Sequence, residues 1–352
     1  MSGADAGAGD RTPPARARMP AAHEILLDAH VHFHPGFALD PFLDAAYDNL
    51  RRGGEQLGVA DSFTGGLMLT ESHGAAAFAG WRAAAGDAPA GRAPTGGHAA
   101  AGRPLAGREA PQPLDPAAGG AAPAGHPPAG APSGAWRFER TAEANSLWAA
   151  PERRPGARLL LVAGRQLVTR EGLEVLGLGL GEDLGEGLAL DAAVAAVLER
   201  GAVPVVPWGF GKWWSRRGRR VAALLRSGAA GRFFLGDNAG RPRGFPPPRL
   251  FAEAARHGVF VLPGSDPLPS PRQATKAGRC GFALRGELDP ERPAAAIVAQ
   301  LRGCHRQPDT FGRHAGPLDF VRDQLAMQVR KRLGAGDATA PGPDPATGGG
   351  PP

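Results

Sequence analysis

Short apolar runs alternate along this chain with stretches whose large side chains recur at helical spacing. EILLDAHVH (24–32) reads as a buried strand, and from about Asp40 to Arg52 the residues Leu43, Ala46, Tyr47 and Leu50 mark one face of a helix. GLMLTES (66–72) predicts a second strand followed by a short Ala-rich helix. WRFER, SLWA, ARLLLVAG, RQLVTR and LEVLGLGL are brief runs broken by Gly and polar residues, as in a meander of closely spaced strands. A strand and helix rhythm then returns. Helices over 189–200, 216–227 and 248–257 precede the strands AVPVV, RFFLG and GVFVLPG, and further helices are expected near 293–302 and 317–333. Repeated strand–helix units imply a parallel sheet, and at this count a closed or nearly closed α/β barrel is the economical arrangement.

Composition limits how much of the chain takes part. Of 352 residues 42% are hydrophobic, enough for a sizeable core, but 53 glycines and 36 prolines concentrate in a few stretches. Residues 1–20 and 335–352 read as disordered tails. Between 84 and 134 only Leu105 and Leu114 offer large aliphatic side chains, so this stretch is expected to be a disordered insertion within a single domain spanning 21–334. Cys280 and Cys304 are far apart and form neither a disulfide framework nor a thiolate zinc motif. No secretory signal or membrane-length apolar run is visible, and the expectation is a cytoplasmic protein with no membrane partner.

The net charge of +6 rests on arginine, since the only lysines are Lys212, Lys276 and Lys331. Charge becomes informative where it clusters. PWGFGKWWSRRGRR (207–220) sets Lys212, Arg216, Arg217, Arg219 and Arg220 around glycines and tryptophans, a combination able to grip a phosphate or another anion. The alternative is a solvated helix start, which fits Arg219 and Arg220 best.

In DAHVHFH, His30 and His32 alternate, so on a regular strand both rings project from one face, about 7 Å apart along the backbone, and can share one divalent cation. Asp28 has the same parity and is expected to orient a ligand; His34 falls where Pro35 and Gly36 end the strand. TESHG (70–74) closes the second strand with Glu71 and His73, either of them a ligand or a proton-transfer group, or a turn with a helix cap. GSDP (264–267) places Asp266 at another strand end, where a carboxylate can bind metal and accept the proton of bound water, or simply make a turn before proline. GDNAGRPR (236–243) adds Asp237, Asn238, Arg241 and Arg243, with metal, substrate and structural roles open.

Together these segments resemble the PHP family, the polymerase and histidinol phosphatase type of phosphoesterase. The resemblance rests on HxH at His30 and His32, a looser T-D-H turn in TESHG, and GSDP as the start of G-S-D-x-H. Gln166 stands where that family has a glutamate, Glu174 lies near the place of a histidine, and AVPVVPWG lacks the usual histidine. The amidohydrolase superfamily, which also opens with D-x-H-x-H and ends in an aspartate, is a close rival.

The resemblance implies an α/β fold, a distorted TIM-like (β/α)7 barrel of the PHP type. It implies one or two divalent ions (Zn, Mn or Fe) on His30, His32, Glu71, His73, Glu174 and Asp266, with His73, Glu71 and Asp266 catalytic. It also implies a small anionic or phosphorylated substrate met by Lys212, Arg216, Arg217, Asp237 and Arg241. The activity implied is phosphoester hydrolysis by a metal-activated water. The alternatives are a C–N hydrolase of the amidohydrolase type, or a degenerate barrel that binds an anion or partner without turnover. Nucleic acid ranks below these because no recognition module is visible, and the sequence leaves the oligomeric state open.

Overall fold

The computed structural model describes residues 24–59, 63–86, 135–227 and 233–337. The 1–20 tail and nearly all of the 84–134 insertion and of the 335–352 tail lie outside them. Two strand–helix units open the chain: β1 (Glu24–Val31), α1 (Leu39–Gln56), β2 (Phe63–Leu69) and α2 (Ala77–Ala84). The meander follows as β3 (Trp136–Arg140), β4 (Ser146–Pro151), β5 (Leu159–Val162), β6 (Gly164–Val168) and β7 (Glu174–Leu178). The expected rhythm then appears as α3 (Leu190–Glu199), β8 (Val203–Pro207), α4 (Ser215–Arg226), β9 (Phe234–Asn238), α5 (Arg249–Arg256) and β10 (Val261–Gly264). After a 3-10 turn at Pro271–Lys276 come β11 (Cys280–Arg285), α6 (Pro293–Arg302), β12 (Asp309–Gly312) and α7 (Pro317–Asp337).

The expected (β/α)7 barrel does not form. The strands make two open sheets, one of seven in the order β12-β11-β1-β2-β5-β4-β3 and one of five in the order β10-β9-β8-β7-β6. Among the strands, parallel pairing is confined to β1–β2–β5 and β8–β9–β10, all of which but β5 belong to the strand–helix rhythm. The physical reason lies in β11, a strand the apolar rhythm did not announce. It pairs antiparallel with β1 from Glu24↔Arg285 to Leu27↔Phe282 and so occupies the edge that a closing β10 would need. At the opposite seam β5 occupies the edge of β2. Strand pairing between the sheets there reduces to an isolated bridge, Glu71↔Arg165, beyond the end of β2.

The two sheets stack, giving four layers and three apolar interiors. Phe42, Leu43, Ala46 and Leu50 of α1, with Phe78 and Trp81 of α2, pack on Leu26, Leu67, Leu69, Leu159 and Leu161 of the larger sheet. Between the sheets lie Ile25, Leu27, Ala29, Met68, Leu160 and Phe282 against Leu176, Leu178, Val203, Val205, Phe234 and Leu262, with Ile297, Val298 and Leu301 of α6 among them. The outer face of the smaller sheet, with Val175, Val206 and Leu235, is covered by Val194, Val197, Val221 and Leu225 of α3 and α4 and by Ala254 of α5. Among the described residues no helix is long and apolar enough to cross a membrane.

Candidate metal centre

The alternation of β1 changes sign at one point, and the site depends on it. Ile25, Leu27 and Ala29 face the smaller sheet, while Leu26 faces the helices; beyond the irregularity Val31, an odd position, also faces the helices. The register of β1 on β2 shifts between Asp28 and Val31, the signature of a β-bulge, which inserts a residue and re-aims the side chains after it. His30 and His32 therefore turn toward the smaller sheet and Asp28 away from them. The sequence parity that grouped Asp28 with the two histidines fails for this reason.

Asp28 is fully buried and accepts three backbone N–H groups: His30 N at 3.1 Å, Ser265 N at 2.8 Å and Gly278 N at 2.8 Å. Burial pushes its pKa up to about 6, with Ser265, His30 and Gly278 opposing. Its role is to fasten the bulge of β1 to the segment after β10 and to the turn before β11, a contact with the backbone of His30 rather than with its ring.

That fastening brings a late carboxylate to the early histidines. Asp266 N donates to His30 O at 2.8 Å, and Asp266 holds φ at +46°, a left-handed conformation that costs a non-glycine residue about 1–3 kcal/mol. The approach requires glycine at 264, because a Cβ there would lie 2.4 Å from His30 N and 2.5 Å from His30 Cβ. His30 Nε2 and His32 Nε2 are 3.0 Å apart, and Asp266 Oδ1 is 3.5 Å from the first and 3.8 Å from the second. The three side chains form a buried to half-buried group able to hold a metal ion, with ligand atoms all within 4.8 Å of one another.

The protonation states suit a cation. Burial, then the neighbouring His30, lowers the His32 pKa to about 3, leaving its imidazole neutral. Burial alone would raise the Asp266 carboxyl, but His30, His32 and Lys212 outweigh it and hold the group below the usual carboxylate range. Distances agree as well. Two imidazole nitrogens bound tetrahedrally to one ion at about 2.0–2.1 Å are roughly 3.3–3.4 Å apart, close to the 3.0 Å between His30 and His32. Around the group two buried polar atoms, His30 Nδ1 and Asn238 Oδ1, have no hydrogen-bond partner among the described residues, as expected where a further polar species belongs. The residues fit a divalent ion.

The remaining candidates are placed elsewhere. Glu71 is buried, accepts Phe78 N at 2.8 Å and pairs with Arg165 at 3.3 Å; burial raises its pKa. His73 is exposed and hydrogen-bonds Asp183 at 2.9 Å, a contact that raises the His73 pKa and, with two backbone N–H groups, keeps Asp183 ionised. Glu174 is tied to Lys212, whose positive charge also acts on Asp266. Arg216 is exposed, and Arg217 Nη2 donates to Gly211 O at 2.9 Å. Asp237 and Arg241 form a buried two-pronged pair (2.9 and 2.8 Å) joined by His314 Nε2 at 3.1 Å from Asp237. The structure thus unites three of the six expected ligands.

Some contributors carried little or no signal in the sequence. Asn238 Nδ2 donates to Asp266 Oδ2 and to Trp208 O, each at 3.1 Å, positioning the carboxylate. Gln166 makes a side-chain hydrogen bond to His32. His34 contacts Pro267 O at 2.9 Å, beside Asp266. The first two sit at strand positions that the resemblance had marked by a missing residue or left open; nothing in the sequence pointed to His314.

Comparison with protein families and with curated proteins finds no match. Among solved structures, the crystal structure of PsfC from Pseudomonas syringae PB-5123 is similar at a TM-score of 0.41, with 13% identity over 88% of this chain and 99% of that one. A likeness at that level carries no conclusion about chemistry. No family match supports the resemblance to a PHP domain, and the barrel it implies does not form among the described residues. What stands is a buried His/His/Asp cluster of the kind metal-dependent enzymes use.

Proposed function

We propose that the protein is a metal-dependent hydrolase of anionic esters, with a phosphoester as the substrate class. The observation that carries this reading is the convergence of His30, His32 and Asp266, three ligands from two distant segments, a number typical of catalytic sites that keep a position for water. A divalent ion bound there supplies a water activated at neutral pH and a Lewis acid for the ester oxygen. The chain's own residues do the rest. Neutral His32 and ionised Asp266 offer lone pairs, Asn238 fixes the carboxylate, and Asp28 keeps the bulge that aims both rings. Lys212 places a cation close enough to act on Asp266, where it can neutralise charge developing on a bound anion.

A second reading, anion binding without turnover, draws support from the ion pairs Glu71–Arg165 and Glu174–Lys212, which engage the acids that would otherwise extend the site. One experiment separates the two. Elemental analysis of the native protein is run beside His30→Ala/His32→Ala, with an aryl phosphate assay on both. The hydrolase reading expects stoichiometric Zn, Mn or Fe and measurable hydrolysis in the native protein, both lost in the variant. Metal without hydrolysis favours the binding reading; equal metal and equal activity in both proteins refutes the site.

A further inference from the structure

Helix α7 presents an apolar stripe to solvent. Leu318, Val321, Leu325 and Val329 recur at intervals of three, four and four residues and are 87, 54, 62 and 56% exposed. At 3.6 residues per turn they fall on one narrow face. The contacts that tie α7 to the body, a ring contact of Phe320 with Phe210 and an ion pair of Asp323 with Lys276, belong to its first two turns and to another side of the helix. A row of large apolar side chains held in water is unfavourable, so the outward stripe calls for a partner.

From this geometry we infer that α7 is a dimerisation helix, and that the stripe is covered by the same stripe of a second copy packed antiparallel about a two-fold axis. A self-complementary patch is what such an axis requires: with the axis near residues 323 and 324, Val321 meets Leu325 of the other copy and Leu318 meets Val329. Charge selects the direction. The first two turns carry Asp319, Asp323 and Arg322, whereas Arg332 stands exposed further along the helix. Parallel helices would set Asp319 beside Asp319 and Arg332 beside Arg332, with their dipoles aligned; antiparallel helices bring the cationic end of each copy to the acidic end of the other. The chain's own long undescribed segments are poor candidates for covering the stripe, since 1–23 offers only Met1 and Met19, 87–134 contains Leu105 and Leu114 as its only large aliphatic residues and 338–352 contains none. Four such side chains from each copy bury on the order of 1,000 Å² with their rims, near the lower bound for a specific interface.

Sedimentation velocity across micromolar concentrations tests this, with the full chain. The native protein is expected at twice the 36.2 kDa chain mass, and Val321→Glu/Leu325→Glu at the single mass with an unchanged circular dichroism spectrum, its dissociation constant raised roughly 100-fold or more. Direction is read from cysteine cross-linking in a Cys304→Ser background. Leu318→Cys/Val329→Cys is expected to link covalently under mild oxidation, while either single variant is not, because like positions in antiparallel helices stand about 16 Å apart along the axis. A native monomer at every concentration, a dimer that survives the glutamates, or linkage by the single variants overturns the inference.

Discussion

Replacing Gly264 by alanine tests whether close contact between the end of β10 and the bulge of β1 builds the metal centre. The new Cβ would lie 2.4 Å from His30 N, 2.5 Å from His30 Cβ and 2.9 Å from His30 Cα, three atoms of a central strand with no flexible end to move aside. Restoring ordinary contact takes a displacement of about 1 Å, and overpacking of this kind costs about 1–3 kcal/mol. For a folded body of this size, 2 kcal/mol lowers Tm by about 4–8 °C. The same displacement separates Asp266, two residues on, from the histidines, while metal ligands tolerate only about 0.2 Å. Zinc affinity, read by competition with a chromophoric chelator, should fall by at least ~10-fold. Gly80→Ala is the control. Nothing lies within 4 Å of its added Cβ and it sits inside α2, so alanine should stabilise by about 0.5–1 kcal/mol and leave zinc affinity unchanged. A Gly264→Ala protein that melts and binds zinc like the native one refutes the proposed link between backbone approach and site.

Two further outcomes follow from buried polar groups. Burial would raise the Asp237 carboxyl, but His314 and Arg241 outweigh it and depress it, so its contribution is present above the ordinary carboxylate pKa and is lost as pH falls through the lower folded value. Asp237→Asn, which strands a buried Arg241, should cost about 3–5 kcal/mol at pH 7 in urea unfolding, with the gap to the native protein narrowing below about pH 4. An equal gap at pH 7 and pH 3 contradicts the assignment. Cys280 is buried with its thiol pushed well up by that burial, whereas Cys304 is half-buried, so a thiol reagent should modify one cysteine in the native protein and two in urea. Rapid reaction of both without urea would show that β11 opens readily.

Much of the element order was legible because the signals were local. The spacing of Leu43, Ala46, Tyr47 and Leu50 marks α1, and the run PAAAIVAQLR at α6 needs no tertiary help to be read as a helix. The sheets were not legible, because pairing is settled by contacts between segments far apart in the chain. RCGFALR was not announced as a strand, and nothing in it says that it lies antiparallel on β1; Gly281 permits the approach, since a Cβ there would lie 2.2 Å from Leu27 O.

The site divides along the same line. A histidine pair and a strand-end aspartate are local patterns, and they converge. The bulge between Asp28 and Val31 is a property of two strands, and it decides that the rings face the second sheet while Asp28 faces the other way. On a regular strand with Ile25, Leu27 and Ala29 facing inward, His30 and His32 would point outward, toward the helices, remote from the Asn238 that holds Asp266. One inserted residue in β1 thus separates a metal centre from two unfavourably buried imidazoles. The three N–H groups on Asp28 span β1, the segment after β10 and the turn before β11, so the two-sheet topology that ruled out a closed barrel is also what stabilises the bulge.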